Sequence, residues 1–347
     1  MAECAAPPGN DPSTPHGLVW SSDEEPGISR RRAGTGFAYR DPGGAPMRRQ
    51  EVLTRIRRLA IPPAWSDVWI CSNANGHIQA TGRDAKGRKQ YRYHADWNAV
   101  RSDNKFDRLP AFAKALPRLR RQIEADLSQA GAGRDKILAA SVRLLELTLI
   151  RVGNAEYARQ NRSYGLTTLH KRHLTIEGVA LRFSFRGKSN VDHQVSIRDR
   201  RLARVIRSLR ELPGQALFKY SDPDGVLHQI TSEGVNSYIR AVMGPDFSAK
   251  DFRTWAGTVS AARLLREADP PTSPSDARRK VVACLRTVAG LLGNTPSVCR
   301  ASYVHPLVFD LFESNEMAAA LPRPAAAGFE KALAKKLSDA QRMPALR

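Results

Sequence analysis

The hydrophobic pattern of this 347-residue chain changes once, near residue 105. Before that point the signals favour strands, because residues 68–71 and 77–81 flank Asn73-Ala74-Asn75-Gly76, a β-hairpin signature. Beyond it, apolar residues recur at three- and four-residue steps, as over residues 137–161, which predicts a helix with one apolar face. The change predicts an α+β protein, with a small mostly-β N-terminal domain and a larger, mainly α-helical domain that contains a small β-hairpin.

Composition and pattern together predict the domain boundaries. Residues 1–20 are rich in Pro, Gly, Ala and Ser, so a flexible tail is expected there. The N-terminal α+β domain is expected over residues 21–104 and the larger domain over residues 105–321. The polar stretch at 102–108 is interpreted as the linker, and the Ala- and Lys-rich residues 322–347 as a C-terminal tail or a loosely packed helix.

Individual elements can be predicted within both domains. Alternating apolar residues over 181–185 and 191–197 flank a Gly187-containing turn, which predicts a hairpin with Lys188 at its tip. Thr295-Pro296 is typical of an N-cap and first helical residue, and we expect this helix to carry Tyr303. Further helices are predicted over residues 199–211, 232–242, 249–267 and 275–292, and one in the first domain over 49–59, ending before Pro62-Pro63.

Net charge limits the class of partner. Lys and Arg total 55 against 34 Asp and Glu, which gives a formal charge of +21. Charge of this size favours a polyanionic partner, and nucleic acid in particular. The four cysteines have no CxxC spacing, so a zinc site or a disulfide framework is not expected and a reducing compartment is indicated. No apolar stretch reaches the length needed to span a bilayer.

Residues from separate segments suit one chemistry. Tyr303 is a poor nucleophile at neutral pH, because a tyrosine loses its proton only at about pH 10. Attack on a phosphodiester also builds negative charge on the nonbridging oxygens. Arg151 and Arg253 suit that charge, since a guanidinium donates two hydrogen bonds to one phosphate and keeps its proton. Lys188 on a turn can protonate the departing ribose oxygen, and Asn294 can donate a further hydrogen bond. Each residue alone has an ordinary structural interpretation; their combination predicts phosphoryl transfer on nucleic acid.

The segments around these residues resemble a known family. The strongest matches lie, in this order, at residues 151–158, 163–169, 250–255 and 302–306. Over about residues 20–320 the chain resembles type IB DNA topoisomerases of the compact bacterial and poxvirus kind, which makes residues 105–321 the catalytic domain. The resemblance implies that Tyr303 forms a 3′-phosphotyrosyl bond. It also implies that Arg151 and Arg253 bind the scissile phosphate and that Lys188 protonates the 5′-oxygen.

The resemblance extends to residues whose roles are less general. The family's fifth catalytic position falls on Asn294, where many members have histidine; asparagine can still donate to a nonbridging oxygen but cannot carry charge. Gln90, Tyr91 and Tyr93 match a short run that contacts DNA in the family's N-terminal domain. The two tyrosines alternate on one strand, so both can face the duplex, or the pair can pack on the domain's own core. Lys250 is a further expected DNA contact.

The expected activity follows from these residues. A monomer would clamp duplex DNA, cut one strand, let it swivel and reseal it. No ATP or metal would be needed, and the chain has no GxxxxGK[ST] loop. A cytoplasmic, nucleoid-associated location is expected. A tyrosine recombinase remains an alternative, although such enzymes typically have histidine where Lys250 lies, and so does a non-catalytic architectural DNA-binding protein, against which the complete catalytic set argues.

Overall fold

The computed structural model of the protein describes residues 17–85, 87–97 and 106–342. The chain divides into two compact units, residues 1–105 and 106–347. Most of the expected flexible tail and of the expected linker lies outside the described residues. The last part of that tail differs from the expectation, because Leu18 is buried and the Val19 backbone bonds to Asn75 and His77, both at 2.8 Å.

The first unit contains a five-stranded antiparallel sheet, as its strand signals predict, and a helix that packs against it. The strands are β1 (Ile28–Ala33), β2 (Gly36–Arg40), β3 (Ser66–Ile70), β4 (Ile78–Arg83) and β5 (Lys89–Tyr93), in the order β2-β1-β3-β4-β5. The helix α1 (Gln50–Arg58) packs Ile56 into the same small core as Ile28 and Ile70. The predicted helix at 49–59 and the hairpin around residues 73–76 are therefore confirmed.

The second unit is mainly helical, which confirms the α+β class. Its helices are α2 (Leu109–Leu127), α3 (Arg134–Thr148), α4 (Ala155–Asn161), α5 (Arg200–Glu211), α6 (Ser232–Met243), α7 (Ala249–Glu267), α8 (Pro274–Leu292), α9 (Pro296–Ser302), α10 (Leu307–Glu313), α11 (Met317–Ala320) and α12 (Phe329–Arg342). Its strands are β6 (Leu174–Glu177), β7 (Ala180–Arg186) and β8 (Asp192–Arg198) in one antiparallel sheet, and β9 (Lys219–Ser221) with β10 (Leu227–Gln229) in another. The predicted hairpin and the four predicted helices from residue 199 to 292 are confirmed.

One long predicted helix is wrong. The apolar pattern over residues 137–161 predicts a single helix, but α3 ends at Thr148 and α4 begins only at Ala155. Leu149 takes a left-handed conformation, with φ of 56°, and ends α3. The backbone that follows bonds to residues 166 and 167 instead of continuing the helix. This interruption takes the segment that contains Arg151 out of the helix.

Near the end of the chain, residues 329–342 form a helix, which was the alternative to a tail, but this helix is packed firmly and not loosely. Within residues 322–347, α12 buries Phe329, Leu333 and Leu337, each no more than 1% exposed. These residues are spaced four apart and share one face, so burial of that face fixes the helix against the core. Residues 343–347 lie outside the described part of the chain.

Within the residues that the structure describes, no single helix is both long and apolar enough to cross a membrane. The helices α8 and α9 pass that test of length and composition only as a pair, and they are bent by 91° to each other.

Candidate active site

Two helices of the second unit end beside one buried arginine. Leu149 ends α3, and Gly293 ends α8, also in a left-handed conformation with φ of 58°. The last carbonyl groups of a helix have no partner within the helix and carry the negative end of its dipole. The guanidinium of Arg253, on α7, donates to the carbonyls of Leu149 and, at 2.6 Å, Leu292. Arg253 is 5% exposed and is therefore fixed between the two helix ends.

Arg151 reaches the end of α8 from the nonhelical segment after α3. Its Nη2 donates to Oδ1 of Asn294 at 2.5 Å and to the carbonyl of Gly293 at 3.3 Å. Its own carbonyl accepts from the Leu166 N–H at 2.9 Å. A Cβ on Gly165 would lie 2.6 Å from the carbonyl oxygen of Arg151, so only glycine permits this approach. The segment at 163–169 therefore positions the segment that contains Arg151.

The cluster is electropositive and contains donors without partners. Within the described part of the chain, neither Arg151 nor Arg253 forms an ion pair with a carboxylate. Burial, and then the charge of Arg151, lower the pKa of Arg253, while Tyr303 acts in the opposite direction. Nε of Arg253 and Nδ2 of Asn294 are buried and have no hydrogen-bond partner among the residues that the structure describes. Buried donors of this kind are costly unless a ligand satisfies them, so the site is suited to an anion.

Tyr303 lies at the end of α9, next to the arginines. Its N–H bonds to the carbonyl of Cys299 at 2.9 Å, and its ring lies under the guanidinium of Arg253, whose Cζ is 5.3 Å from the ring centroid. Thr258 Oγ1 donates to its carbonyl at 3.3 Å. A Cβ on Gly257 would lie 2.6 Å from the same carbonyl oxygen, so glycine is needed there as well. The predicted helix that begins at Thr295 is confirmed, with Tyr303 as its C-cap.

Lys188 lies on the turn between β7 and β8, as predicted. The turn is a short 3₁₀ segment, Lys188–Asn190, closed by a 2.8 Å hydrogen bond from the Gly187 N–H to the Val191 carbonyl. Lys188 is exposed, and among the described residues its ammonium has no hydrogen bond or ion pair. The structure thus joins Arg151, Arg253, Asn294 and Tyr303 in one cluster, and leaves the Lys188 side chain outside the hydrogen bonds of that cluster.

Some residues of this site escape sequence reasoning. Thr258 and Gly257 hold the main chain of Tyr303, and the ring of His193 lies between Gly187 and Gly293. Gly257 follows the motif that contains Arg253, and its place in a helix, where glycine is unfavourable, is the one signal of a close approach. His193 has no local signal of this role, because Gly293, on the far side of its ring, lies a hundred residues later in the sequence.

The expected DNA contacts of the first unit lie on β5. Gln90 Nε2 donates to Asp84 Oδ2 at 2.9 Å, which fixes the orientation of the side-chain amide of Gln90. The rings of Tyr91 and Tyr93 stack at 5.9 Å with an interplanar angle of 14°, and Tyr91 is 43% exposed. Neither tyrosine belongs to the described core of that unit. Lys250, in the other unit, is exposed in the first turn of α7.

A metal site is not evident. Among the residues that the structure describes, no group of three or more His, Cys, Asp or Glu side chains has an arrangement that could hold a metal ion.

Comparison with known proteins gives the family. Residues 94–318 match the model of the eukaryotic DNA topoisomerase I catalytic core, and residues 36–84 match that of the bacterial DNA topoisomerase IB N-terminal domain. The chain is 31% identical over 296 residues to the DNA topoisomerase 1B of Acanthamoeba polyphaga mimivirus, covering 83% of this chain and 88% of the viral protein. It is 23% identical to the DNA topoisomerase 1B of vaccinia virus strain Copenhagen (76% and 82% covered) and to the DNA topoisomerase 1 of rabbit fibroma virus (74% and 80%). The bacterial-type N-terminal match and these viral relatives fit the resemblance described above, and the chain belongs to the type IB DNA topoisomerases, isomerases that act on DNA.

Proposed function

We propose that Tyr303 is the residue through which this topoisomerase cuts and reseals one strand of duplex DNA. Its phenolic oxygen attacks the phosphorus of a phosphodiester, the bond from phosphorus to the 5′-oxygen breaks, and a 3′-phosphotyrosyl bond forms. The phenolic proton passes to solvent and the 5′-oxygen leaves as a hydroxyl. The released end swivels about the intact strand, and the 5′-hydroxyl then attacks the phosphotyrosyl bond to restore the DNA. Because this bond conserves the energy of the phosphodiester, no nucleotide is consumed.

The observation that carries this proposal is the cluster of unpaired charge beside Tyr303. Arg253 and Arg151 lie there without a carboxylate partner among the described residues, and two of the buried donors have no acceptor. A phosphate would supply both the negative charge and the missing acceptors. Donors that are fixed before the reaction stabilise the charge that develops on the nonbridging oxygens, and each can contribute roughly 3 kcal/mol to lowering the barrier.

Arg253 supports the nucleophile as well as the phosphate. Its guanidinium lies over the ring of Tyr303, with Cζ 5.3 Å from the ring centroid, and its two terminal nitrogens bond to helix-end carbonyls. A fixed positive charge at this distance stabilises the phenolate as the proton leaves. Arg253 therefore stabilises both the phenolate that attacks and the negative charge that develops on the phosphate under attack.

Lys188 fits the role of general acid. The departing 5′-oxygen is an alkoxide unless it receives a proton, and an ammonium supplies one. An exposed lysine on a turn, without a bonded partner among the described residues, is free to meet a substrate. We assign Lys188 this role on chemical type and exposure.

The DNA duplex is the substrate, and we assign its further contacts to Gln90, Tyr91, Tyr93 and Lys250. The stacked tyrosine pair offers an exposed face, and the Gln90 amide, oriented by Asp84, presents its oxygen to donors on a base edge. A chain with charge +21 has enough basic residues to follow the phosphate backbone. We propose that one copy of the protein suffices, with its two units clamping the duplex, in a cytoplasmic, nucleoid-associated setting.

A plasmid relaxation gel in EDTA and without ATP tests the activity. Wild-type protein should relax the plasmid, and Tyr303→Phe should lose both relaxation and the covalent adduct seen on a denaturing gel, while it still binds duplex DNA. Tyr220→Phe, which changes a tyrosine that stacks on His228 at 5.3 Å, is the matched control and should keep both. An adduct formed by Tyr303→Phe would contradict the assignment. Exchange of strands between two duplexes without relaxation would indicate a recombinase instead.

A further inference from the structure

The imidazole of His193 fills the space between two glycines that precede site residues. Gly187 comes directly before Lys188, and Gly293 directly before Asn294. A Cβ on Gly187 would lie 2.5 Å from Cδ2 of the His193 ring, and one on Gly293 would lie 2.6 Å from Cε1. Carbon atoms do not approach so closely without a shift. The ring is therefore in direct contact with the backbone of both segments.

Backbone conformation does not explain the glycine at position 187. Gly187 has φ of −98° and ψ of −166°, an extended conformation that any residue adopts. Gly293 differs, because its φ of 58° favours glycine whatever surrounds it. The close approach of the His193 ring is thus the structural reason for glycine at 187.

The ring is also held from a third side. Phe185 is the cross-strand partner of His193, and the two rings stack at 5.2 Å with an interplanar angle of 13°. Stacked cross-strand pairs stabilise a sheet and fix the orientation of both side chains. Burial and the charges of Arg151 and Arg253 lower the pKa of His193, and Asp192 opposes them. The ring is therefore neutral at neutral pH and adds no positive charge beside Lys188.

We infer that His193 is a positioning residue of the topoisomerase reaction: its ring spaces the turn that carries Lys188 from the helix end that leads to Asn294. The inference rests on the role proposed for Lys188. Without the ring, the contact that runs from the turn through His193 to the end of α8 is lost. The ammonium then samples positions away from the 5′-oxygen, although the groups that bind the phosphate are unchanged.

A double-mutant cycle with Lys188 tests whether His193 acts through it. In single-turnover cleavage, His193→Ala should slow the reaction roughly tenfold to a hundredfold, the scale of a displacement of about 1 Å in a catalytic group. In a Lys188→Ala background the same change should have almost no further effect. Equal effects in both backgrounds, or no effect of His193→Ala alone, would overturn the inference. Gln194→Ala, at the next position of the same strand and exposed, should cleave at the wild-type rate.

The leaving group separates this inference from the proposed role of Lys188. A 5′-bridging phosphorothiolate needs no proton on departure, so it should restore most of the rate to both His193→Ala and Lys188→Ala. If it restores neither while the cycle stays non-additive, Lys188 is not the acid, but His193 still positions it. If it restores only Lys188→Ala, the role of His193 is wrong and that of Lys188 stands. Noncovalent DNA binding, measured with Tyr303→Phe added, should be the same with and without His193→Ala.

A compensating pair guards against a variant that merely unfolds. Gly187→Ala fits the backbone but places a Cβ in contact with the ring, so it should slow cleavage of the ordinary phosphodiester. Gly187→Ala with His193→Ala removes that overlap and should cleave faster than Gly187→Ala alone. A double variant slower than both single variants would contradict direct contact as the cause. Thermal unfolding of each variant would show which of them fold.

Discussion

The guanidinium of Arg253 lies over the ring of Tyr303, with its Cζ 5.3 Å from the ring centroid, while its two terminal nitrogens bond to the carbonyls that end two helices. One side chain thus joins the ends of α3 and α8 and faces the nucleophile. Burial holds it in place, since Arg253 is 5% exposed. Structure and chemistry depend on the same group, and substitutions of Arg253 should affect both.

Arg253→Lys should reduce both cleavage and stability. An ammonium cannot reproduce the planar fork that reaches two carbonyls and still faces a phosphate. We expect single-turnover cleavage to fall about a hundredfold or more, as for loss of a fixed donor. The unpaired helix-end carbonyls should lower the free energy of unfolding by about 1 to 3 kcal/mol. Arg263→Lys, on the same helix but 45% exposed and paired with Glu330, is the control and should change neither quantity much. Wild-type cleavage by Arg253→Lys would show that the fork is not used.

The bond from Arg151 to Asn294 predicts an order among variants of Asn294. Oδ1 accepts from Arg151 at 2.5 Å, which leaves Nδ2 as the donor to phosphate. Asn294→Ala should slow cleavage roughly tenfold to a thousandfold. Asn294→Asp should be slower still, because it keeps the acceptor for Arg151 but replaces the donor with a negative charge that repels phosphate. Asn294→Asp faster than Asn294→Ala would mean that the residue serves only to hold Arg151.

Histidine at position 294, common in the family, should restore part of the activity. Imidazole donates to a nonbridging oxygen when it is protonated or in the right tautomer. Cleavage by Asn294→His should therefore gain a dependence on pH near the histidine pKa that a carboxamide cannot give. Single-turnover rates of the alanine and histidine variants from about pH 5 to about pH 8 would measure it. Parallel profiles for the two would argue against contact between the introduced ring and the phosphate.

Lys188→Ala should slow cleavage of an ordinary phosphodiester strongly and cleavage of a 5′-bridging phosphorothiolate much less. The thiolate leaves without a proton, so the general acid is not needed there. Arg186→Ala is a suitable control, since Arg186 is exposed two residues earlier and pairs with Asp192 at 3.4 Å. Equal slowing of Lys188→Ala on both substrates would indicate an electrostatic role for Lys188.

Most of the secondary structure of the second unit could be predicted because its signals are local. The helix at 249–267 follows Ser248, whose N–H and hydroxyl both bond to Asp251, and the hairpin with Lys188 has alternating apolar residues on both strands. The end of α3 could not be predicted. Leu149 continues the apolar period and is not a residue that favours a left-handed conformation. Its place is stabilised by Arg253, about a hundred residues later in the chain, through a hydrogen bond to its carbonyl.

The residue types of the site were predictable from chemistry, but their connections were not. A tyrosine, two arginines and an asparagine suit phosphoryl transfer wherever they lie. That Asn294 should accept from Arg151, or that the His193 ring should separate two glycines, depends on contacts between residues far apart in sequence. The Ala and Lys content of residues 322–347 left a tail and a loosely packed helix both open, whereas apolar residues at four-residue steps pack the helix at 329–342 against the core.

Noncovalent DNA binding should weaken steeply as salt increases. Each phosphate that the protein neutralises releases counterions. The plot of log K against log salt concentration therefore steepens by about 0.9 for each such phosphate. With a formal charge of +21, several phosphates should be involved. Titrations of Tyr303→Phe with a duplex, from low to physiological salt, would measure the slope, and Lys250→Ala should reduce it by about one unit. A flat dependence would contradict extensive contact between the basic residues and DNA.

Stability should fall as the pH is lowered, and His305 is one cause. Burial lowers the pKa of His305 to about 4, and its Nδ1 accepts from the Leu307 N–H at 3.1 Å, a bond that only an unprotonated nitrogen can accept. In the unfolded chain the imidazole of His305 titrates at about pH 6.5. Between that pH and its lower folded pKa, the unfolded chain therefore binds a proton that the folded chain does not bind. The contribution of His305 to stability is therefore complete above about pH 6.5. It is lost as the pH falls from there to about 4.

His305→Phe, which keeps a ring against Phe106, should flatten the dependence of the unfolding free energy on pH in this range. His228→Ala, which removes an exposed histidine bonded to Asp222, is the control and should flatten the pH dependence of the unfolding free energy less than His305→Phe does. A His305→Phe profile as steep as that of the wild type would assign the loss to other groups, of which His173, with its pKa also lowered to about 4 by burial, is the first to test.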